Sequence, residues 1–316
     1  MDKTRQFRKR LLRWYDGQKR DLPWRKDRDP YHVWLAEIML QQTRVAVVVE
    51  YYTRFLTRFP TVQALAAARL SSVLAAWSGL GYYRRARALH SAAKQIARDG
   101  TFPSTAGKLG TLPGVGRYTA AAVASIAFNE PVAVVDGNVE RVLQRTTGEN
   151  LAGEKLWKTA QKLLSRERPG DFNQAMMELG ATVCLPRQPK CLVCPVCDQC
   201  ATRGELSRGQ VEIRHKREIC YALDIRPGAV FLVHRPKSCS LMPGMWELPE
   251  LPEPNGHSEI ALTLKHSVTV TDYTVRVARG PAPKSVQGQW IRYSRLAGLP
   301  LTGLARKILH ATQVIQ

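Results

Sequence analysis

The chain has 316 residues, of which 44% are hydrophobic, and its formal net charge at pH 7 is +21. This hydrophobic content is enough to fill the cores of about two ordinary domains, which excludes an intrinsically disordered chain. The excess of 47 basic over 26 acidic residues favours a nucleic acid as partner, because each neutralised phosphate releases counterions. The alternative is a basic protein whose charge only keeps it in solution.

The N-terminal segment MDKTRQFRKRLLRWYDGQKR carries charges throughout, and we expect an amphipathic helix there rather than a signal peptide. No apolar run approaches the roughly 20 residues that cross a membrane. Five of the seven cysteines lie between Cys184 and Cys200, which is typical of a metal site and not of a disulfide framework. These features predict a cytoplasmic protein without a membrane partner.

The sequence from Pro30 to Arg203 is rich in Ala, Leu, Gln and Arg, and Gly or Pro residues separate its periodic segments. This pattern predicts a mainly α-helical domain. The predicted helices span residues 31–42, 44–57, 71–77, 83–99, 118–128, 138–146, 154–166 and 171–183.

Glu37 lies in the segment DPYHVWLAEIMLQQTRV, where every other residue from His32 to Gln41 is uncharged and most are apolar. Burial raises the pKa of a carboxyl group, so Glu37 would keep a proton near neutral pH and could act as a general acid. The alternative is a buried glutamate whose charge is satisfied by an arginine.

A glycine turn precedes an alanine-rich helix in the stretch TLPGVGRYTAAAV, which runs from Thr111 to Val123. Gly114 and Gly116 lie in this turn, and the backbone N–H groups of a helix N-terminus are suited to binding a phosphate. A DNA-processing hairpin that bonded covalently to a sugar would need an amine next to the turn. Tyr118 supplies a phenol instead.

A second carboxylate, Asp136, ends the apolar run of PVAVVDGNVERV, just before a predicted helix. This position suits an ionised carboxylate near reacting atoms, and it equally suits an N-cap. A protonated and an ionised carboxyl group together are what the cleavage of a glycosidic bond needs. With a phosphate-binding hairpin, the pair predicts action on an N-glycoside of a nucleotide flipped out of DNA.

The clustered cysteines have the spacing C-x6-C-x2-C-x5-C at Cys184, Cys191, Cys194 and Cys200, with Cys197 as a fifth thiol. Thiolates this close suit an iron–sulfur cluster or zinc. A zinc ribbon separates its two CxxC pairs by a longer stretch, so the spacing favours a cluster over zinc and over free thiols. We expect such a cluster to stabilise the structure of a basic loop rather than to act as a redox catalyst.

The polar and basic stretch 201–218 contains the predicted linker, residues 204–217, between domains at residues 1–203 and 218–316. Beyond it, ICYALDI, AVFLVHR and YTVRVA are β-branched runs separated by Pro and Gly. They predict a smaller α+β domain.

Taken together, the motifs resemble the MutY adenine DNA glycosylases, which belong to the helix-hairpin-helix, endonuclease III superfamily. The matching segments are LPWRKDRDPYHVWLAEIMLQQTRV, WSGLGYYRRARAL, LPGVGRYTAAAV, VDGNVERV, FNQAMMELGATVC and the cysteine spacing. The resemblance covers about residues 5–200. It implies a monomeric, nucleoid-associated base-excision repair enzyme that flips and hydrolytically removes adenine mispaired with 8-oxoguanine or guanine in double-stranded DNA.

The resemblance also implies a role for each matching residue. Glu37 would protonate N7 of adenine and later activate water, and Asp136 would stabilise the cationic sugar, with Tyr118 and Asn138 positioning the groups around it. Residues implied to line the adenine pocket are Trp24, Arg25 and Glu178. Residues implied to contact the duplex, the orphaned base or a phosphate are Gln42, Thr43, Leu80, Tyr82, Gly114 and Gly116. The implied [4Fe–4S] ligands are Cys184, Cys191, Cys194 and Cys200.

Tyr118 stands where the bifunctional lyases of this superfamily carry a Schiff-base lysine. A phenol has an ordinary pKa of about 10 and cannot form an imine. The resemblance therefore implies attack by water, or by Asp136 transiently and then by water. The expected product is an abasic site without designed strand cleavage.

The C-terminal domain resembles the family's Nudix-like lesion-recognition domain in the segment AVFLVHRPKSCSLMPGMWELPEL. A run of metal-binding Nudix acids is missing, so we expect a reader and not a second enzyme. The family's recognition loop carries an aromatic residue, a hydroxyl residue and a histidine, whereas the best match here is Leu264-Lys265-His266. His266 matches, but the aromatic and the hydroxyl residue are replaced, which would weaken discrimination of 8-oxoguanine from guanine. Lys265 would instead contact a phosphate and raise affinity without selectivity.

Two other functions are compatible with these motifs. A mismatch thymine or uracil glycosylase of the same superfamily also carries Tyr at the Tyr118 position, although Glu37 and the reader domain favour adenine. A non-enzymatic DNA-binding module would use the hairpin and the cluster only for docking. The presence of both Glu37 and Asp136 argues against that module.

Overall fold

The computed structural model describes residues 3–205, 215–236, 238–239, 242–252, 259–268 and 271–315. The chain divides into a first unit, residues 1–66 and 91–209, and a second unit, residues 67–90 and 210–316. Most of the predicted linker, and part of the Nudix-like signature segment, lie outside the described residues. The predicted domain limits at residues 203 and 218 therefore stay a prediction.

The chain up to residue 182 is helical, and every predicted helix is present close to its predicted limits. Two short helices, α4 and α7, were not predicted. The helices are α1 (Lys3–Gln18), α2 (Pro30–Leu40), α3 (Val45–Arg58), α4 (Val62–Ala67), α5 (Leu70–Trp77), α6 (Arg84–Asp99), α7 (Ala106–Leu109), α8 (Arg117–Phe128), α9 (Gly137–Thr147), α10 (Gly153–Leu163) and α11 (Pro169–Thr182). Short 3-10 helices occur at Pro23–Arg25, Cys191–Val193 and Cys197–Gln199.

Helix α2 is the central helix of the first unit. Its start is defined by Asp29, whose side chain accepts hydrogen bonds from the N–H groups of Tyr31 and His32, and by Pro30 at the first helical position. From Val33 onwards α2 is buried on all sides as far as its last turn. A helix that is apolar all round belongs in a core, and its one acidic residue is therefore carried into the interior.

The glycine turn predicted in the stretch from Thr111 to Val123 joins α7 to α8. Gly114 has a φ of +74°, a conformation that disfavours a side chain, and Gly116 is the exposed N-cap of α8. The alanine-rich α8 packs closely on its neighbours. A Cβ added at Gly170 on α11 would lie 2.5 Å from the carbonyl oxygen of Ser125 on α8.

Asn173 on α11 holds the extended segment that leads to Asp136. It is 2% exposed, its Nδ2 donates to the Val132 carbonyl and to the Ser125 hydroxyl (both 2.9 Å), and its Oδ1 accepts from the Val134 N–H (3.2 Å). A buried amide without hydrogen-bond partners would destabilise the folded protein, so these bonds define the path of the segment.

The second unit is built around strands, as the three β-branched runs predict. The strands are β1 (His215–Leu223), β2 (Ile225–Arg226), β3 (Ala229–His234), β4 (Trp246–Glu247), β5 (Glu250–Leu251), β6 (Ile260–Val268), β7 (Thr271–Arg279) and β8 (Gln289–Arg292). Two helices follow, α12 (Tyr293–Leu296) and α13 (Gly303–Ala311). One sheet has the order β5-β1-β7-β6, with β1 and β7 parallel. In the other, β3 pairs with β2, β4 and β8.

The core of the second unit lies between the strands and α13. Alternate residues such as Val230 and Leu232 on β3, and Val275 and Val277 on β7, are fully buried, as expected for strands with one face on a core. They pack with Ile308 of α13 in one hydrophobic cluster. Among the described residues, no helix combines the length and apolarity that a membrane crossing requires.

Candidate active site

The first carboxyl group of the site is that of Glu37, on α2. It is 6% exposed, and its Oε2 accepts a hydrogen bond of 2.7 Å from the Tyr118 hydroxyl. The pKa of Glu37 is raised to about 7, mainly by burial and also by the charge of Asp136, although the Tyr118 hydrogen bond and Arg25 oppose the rise. Glu37 can therefore hold a proton near neutral pH.

Tyr118, near the start of α8, is a neutral hydrogen-bond donor. Burial raises its pKa well above the usual value, and the neighbouring carboxylates of Glu37 and Asp136 act in the same direction. Its hydroxyl also lies 3.3 Å from the Met177 sulfur. A phenol held in this way can orient the carboxyl group but cannot supply a nucleophilic amine.

Asp136 occupies the N-cap of α9, and both of its carboxylate oxygens accept hydrogen bonds. Oδ1 accepts from the Val139 N–H (2.8 Å), and Oδ2 accepts from the Asn138 side-chain amide (2.9 Å). The capping alternative is therefore confirmed, and capping also holds this carboxylate close enough to Glu37 to influence its pKa. Asp136 is thus a helix cap that also acts electrostatically on Glu37.

Hydrogen bonds continue from Asp136 towards the cysteine loop. Asn138 Oδ1 accepts from Arg141 Nη2 (2.8 Å), and the same guanidinium donates to the carbonyl groups of Gly180 and Cys184 (both 2.8 Å). Gly180 is required here, because a Cβ added to it would lie 2.5 Å from the Asn138 Cβ. The sequence analysis missed both Arg141 and Gly180, although Arg141 lies one helical turn after Asn138 on the same face.

The three predicted pocket residues include a strong ion pair. Glu178 on α11 is 1% exposed and accepts hydrogen bonds from Arg20 Nε (2.6 Å) and from Arg25 Nη2 (2.8 Å). Burial alone would raise the pKa of Glu178, but these arginines outweigh it and lower the pKa to about 2. The sequence analysis considered, for Glu37, a buried glutamate whose charge is satisfied by an arginine. It is Glu178 that has this arrangement. Trp24 is buried against the edge of Tyr52.

The remaining predicted DNA-contacting residues of the first unit lie in two loops that are tied together. Gln42, exposed and in a left-handed conformation (φ +56°), and Thr43 follow α2. Gly114 and Gly116 precede α8. The Gln41 side chain, at the end of α2, donates to the Thr119 hydroxyl (3.1 Å) and so links α2 to α8.

The other predicted contact residues belong to the second unit. Leu80 is buried, whereas Tyr82 is half-buried and has a φ of +48°. Lys265 is exposed on β6, and His266 beside it is half-buried. Burial lowers the pKa of His266, and the charge of Lys307 lowers it further, so both disfavour the charged imidazolium.

The five clustered thiols line one cavity, and none of them forms a disulfide. No three His, Cys, Asp or Glu side chains of the described residues are arranged to hold a single metal ion. The cavity wall includes Arg145, which is 2% exposed. Its guanidinium donates to the carbonyl groups of Leu185 (2.6 Å) and Pro186 (3.0 Å) and to the Cys184 sulfur (3.3 Å). Within the described residues, its Nε has no hydrogen-bond partner.

Residues 35–166 match the model of the HhH-GPD superfamily of base excision DNA repair proteins. Adenine DNA glycosylase of Rattus norvegicus is 50% identical over 222 residues, covering 65% of this chain and 43% of the rat protein. The chain thus spans less than half the length of this curated relative.

Two solved structures share the fold of the helical part. A thermostable thymine-DNA glycosylase is 32% identical, with a TM-score of 0.60 over 64% of this chain and 96% of that chain. A trapped endonuclease III–DNA covalent intermediate, an estranged-adenine complex, is 25% identical, with a TM-score of 0.55 over 64% of this chain and 98% of that chain.

Replacing Tyr118 by Phe tests the electrostatics of the site. We expect the pKa of Glu37 to rise further above about 7, because the Tyr118 hydrogen bond is one of the interactions that lower it. Infrared difference spectroscopy of the protonated carboxyl group would follow the titration, with Glu37→Gln to assign the band. Tyr31→Phe is the matched control, since its hydroxyl donates to the Phe59 carbonyl instead (2.8 Å). A lower or unchanged pKa in Tyr118→Phe would contradict this account.

Proposed function

Because the chain belongs to the HhH-GPD superfamily of base excision DNA repair proteins, we propose that it is an adenine DNA glycosylase acting on double-stranded DNA. The single observation that carries the proposal is the buried Glu37, whose pKa is raised to about 7 beside Asp136. The identity of 50% to the rat adenine DNA glycosylase supports adenine as the base removed. The proposed partner base is 8-oxoguanine or guanine.

The proposed reaction begins with proton transfer from Glu37 to N7 of an extruded adenine. The N-glycosidic bond then breaks, its electron pair leaves with the adenine, and positive charge develops on the deoxyribose. The Asp136 carboxylate stabilises this cation. Glu37, now ionised, accepts a proton from the water that attacks C1′, which restores the starting state.

Tyr118 makes the proposed enzyme monofunctional. Its hydroxyl donates to Glu37, and a neutral phenol forms no imine with the sugar. Asn138 and Arg141 hold the Asp136 carboxylate in place. The proposed product is an abasic site in an intact strand.

A second candidate is a thymine or uracil mismatch glycosylase, and the structural likeness to a thymine-DNA glycosylase favours it. The two functions differ in whether the base has a ring nitrogen that Glu37 can protonate. A purine offers the ring nitrogen N7 to a buried acid, whereas a pyrimidine has no equivalent atom. The protonated state of Glu37 near neutral pH therefore supports adenine.

We further propose that Cys184, Cys191, Cys194 and Cys200 hold a [4Fe–4S] cluster. The buried Arg145 supports an anionic group in this cavity, because its hydrogen-bond partners in the described part of the chain are carbonyl groups and one sulfur rather than a carboxylate. Thiolate ligation of the cysteines around this cavity supplies negative charge, and their spacing favours a multi-iron cluster over one zinc ion. When bound, the cluster would close the loop covalently.

Residues 218–316 are proposed to read the base opposite adenine, as a Nudix-like domain without hydrolase activity. Its β6 carries Leu264-Lys265-His266, and the exposed Lys265 suits a phosphate contact. Because Leu264 and Lys265 replace the aromatic and hydroxyl residues of the family's recognition loop, we propose a weaker preference for 8-oxoguanine over guanine. The proposed location is the cytoplasm, with the protein bound to the nucleoid as a monomer.

The central experiment is single-turnover base release from duplexes with A, T or U opposite G or 8-oxoguanine. We expect release of adenine alone, and release of thymine alone would select the second candidate.

Glu37→Gln should keep its affinity for DNA and lose at least about 10²-fold in rate, because the proton donor is gone. Glu50→Gln on exposed α3 surface is the control. Full turnover by Glu37→Gln would disprove the acid assignment.

Metal analysis tests the cluster. We expect iron and acid-labile sulfide in equal amounts, about four of each per chain, and visible charge-transfer absorption. Cys200→Ser should lose both, whereas Cys197→Ser, which removes the thiol that the spacing leaves over, should retain them. Zinc without sulfide, or equal losses in the two variants, would contradict the assignment.

A further inference from the structure

The second unit joins two segments that are far apart in the sequence, residues 67–90 and 210–316. The first segment carries a short loop, Gly79–Tyr82, between α5 and α6. Three of its residues have positive φ angles: Gly79 (107°), Gly81 (71°) and Tyr82 (48°). A bulky residue adopts this conformation only where its surroundings hold it there.

Part of what holds the loop lies within its own segment. Arg85 is 6% exposed, and its Nη2 donates to the carbonyl groups of Leu80 (3.1 Å) and Gly81 (3.2 Å). Its guanidinium lies over the rings of Trp77 and Tyr82. Trp77 Nε1 donates to the Gly81 carbonyl as well (3.1 Å).

The other part comes from the C-terminal segment. The Leu301 carbonyl accepts hydrogen bonds from the Ser78 hydroxyl (2.9 Å) and from the Tyr83 hydroxyl (2.7 Å), one residue on each side of the loop. Arg306 Nε, on α13, donates to the Ser78 hydroxyl (3.0 Å). Ser78, Tyr83 and Leu301 are each at most 3% exposed. The two bonds to the Leu301 carbonyl are therefore shielded from water and hold both ends of the loop firmly.

The C-terminal attachment is itself fixed within the second unit. Leu301 forms a parallel bridge with Trp246 of β4, and the Thr302 hydroxyl caps α13 and donates to Glu247 of β4 (2.6 Å). The segment that contacts the loop is therefore attached to strand β4 of the second unit.

We infer that residues 301–306 are a positioning element for the loop Gly79–Tyr82. They hold the two ends of the loop at one carbonyl group, so that Leu80 and Tyr82 are presented in a single conformation. The inference rests on the proposed function and on the family resemblance, which implies that Leu80 and Tyr82 wedge into the duplex and contact the base opposite adenine. Reading of that base then depends on a helix more than 200 residues away in the sequence.

Arg306→Ala in the full chain tests the inference, and Arg295→Ala is the control. Arg295 is an exposed arginine on α12, so both variants lose one positive charge and the same long-range attraction to DNA. The first readout is hydrogen–deuterium exchange of peptides that span residues 78–83, without DNA. We expect exchange about tenfold faster in Arg306→Ala and unchanged in Arg295→Ala, because local opening becomes easier.

The second readout is single-turnover adenine release from two duplexes. Opposite 8-oxoguanine we expect Arg306→Ala to be about tenfold slower, because the loop no longer arrives preorganised. Opposite an abasic analogue there is no base to read, and we expect a change of less than about twofold. A loss that is equal on both duplexes would contradict a role in reading the base.

The two readouts separate this inference from the proposed function. Unchanged exchange at residues 78–83 in Arg306→Ala overturns the inference, whatever the enzyme releases. Faster exchange in a protein that releases no adenine upholds the anchoring and overturns the proposed function. Should Arg306→Ala fail to fold, Tyr83→Phe removes a single hydroxyl from the Leu301 carbonyl, and the same exchange result is expected in it.

Discussion

The removal of one carboxyl group from water, that of Glu37, is the constraint on which the candidate site depends. Helix α2 is apolar on all sides and must lie in the core, so its single acidic residue is buried with it. Desolvation then raises the pKa of Glu37 to about 7. The hydrogen bond from Tyr118 and the helix cap at Asp136 place a donor and a second carboxylate beside it.

Two buried carboxyl groups of the first unit show how the surroundings divide their chemistry. Glu178 is even less exposed than Glu37, yet Arg20 and Arg25 bind it and lower its pKa to about 2. Glu37 accepts a neutral hydrogen bond from Tyr118, and its pKa of about 7 lets it carry a proton near neutral pH. The charge of Glu178 is therefore held in structural ion pairs, whereas Glu37, beside Asp136, can exchange a proton. The close approach at Gly180 keeps Asp136 and its partner Asn138 in register with α11.

Much of this arrangement follows from local sequence pattern. The apolar run around Glu37 predicts its burial, and the Asp-Gly-Asn turn predicts the cap at Asp136, because both depend on residues close in the chain. The contacts that complete the site do not: Arg20 binds Glu178 across 158 residues, and Ser78 binds the Leu301 carbonyl across 223. Such pairs depend on how helices pack, which a single sequence does not encode in any spacing. The requirement for glycine at position 180 is likewise not readable from its own helix, because it comes from the close approach of α9.

The most direct measurement is the pH dependence of the single-turnover rate of adenine release at saturating enzyme. If a protonated Glu37 is the proton donor, the rate is constant below about pH 7 and falls about tenfold per pH unit above it, since the carboxylate has no proton to give. Glu37→Gln should show no such descending limb in its residual rate. A rate that stays level or rises from pH 6 to pH 9, or the same descending limb in Glu37→Gln, would contradict the account.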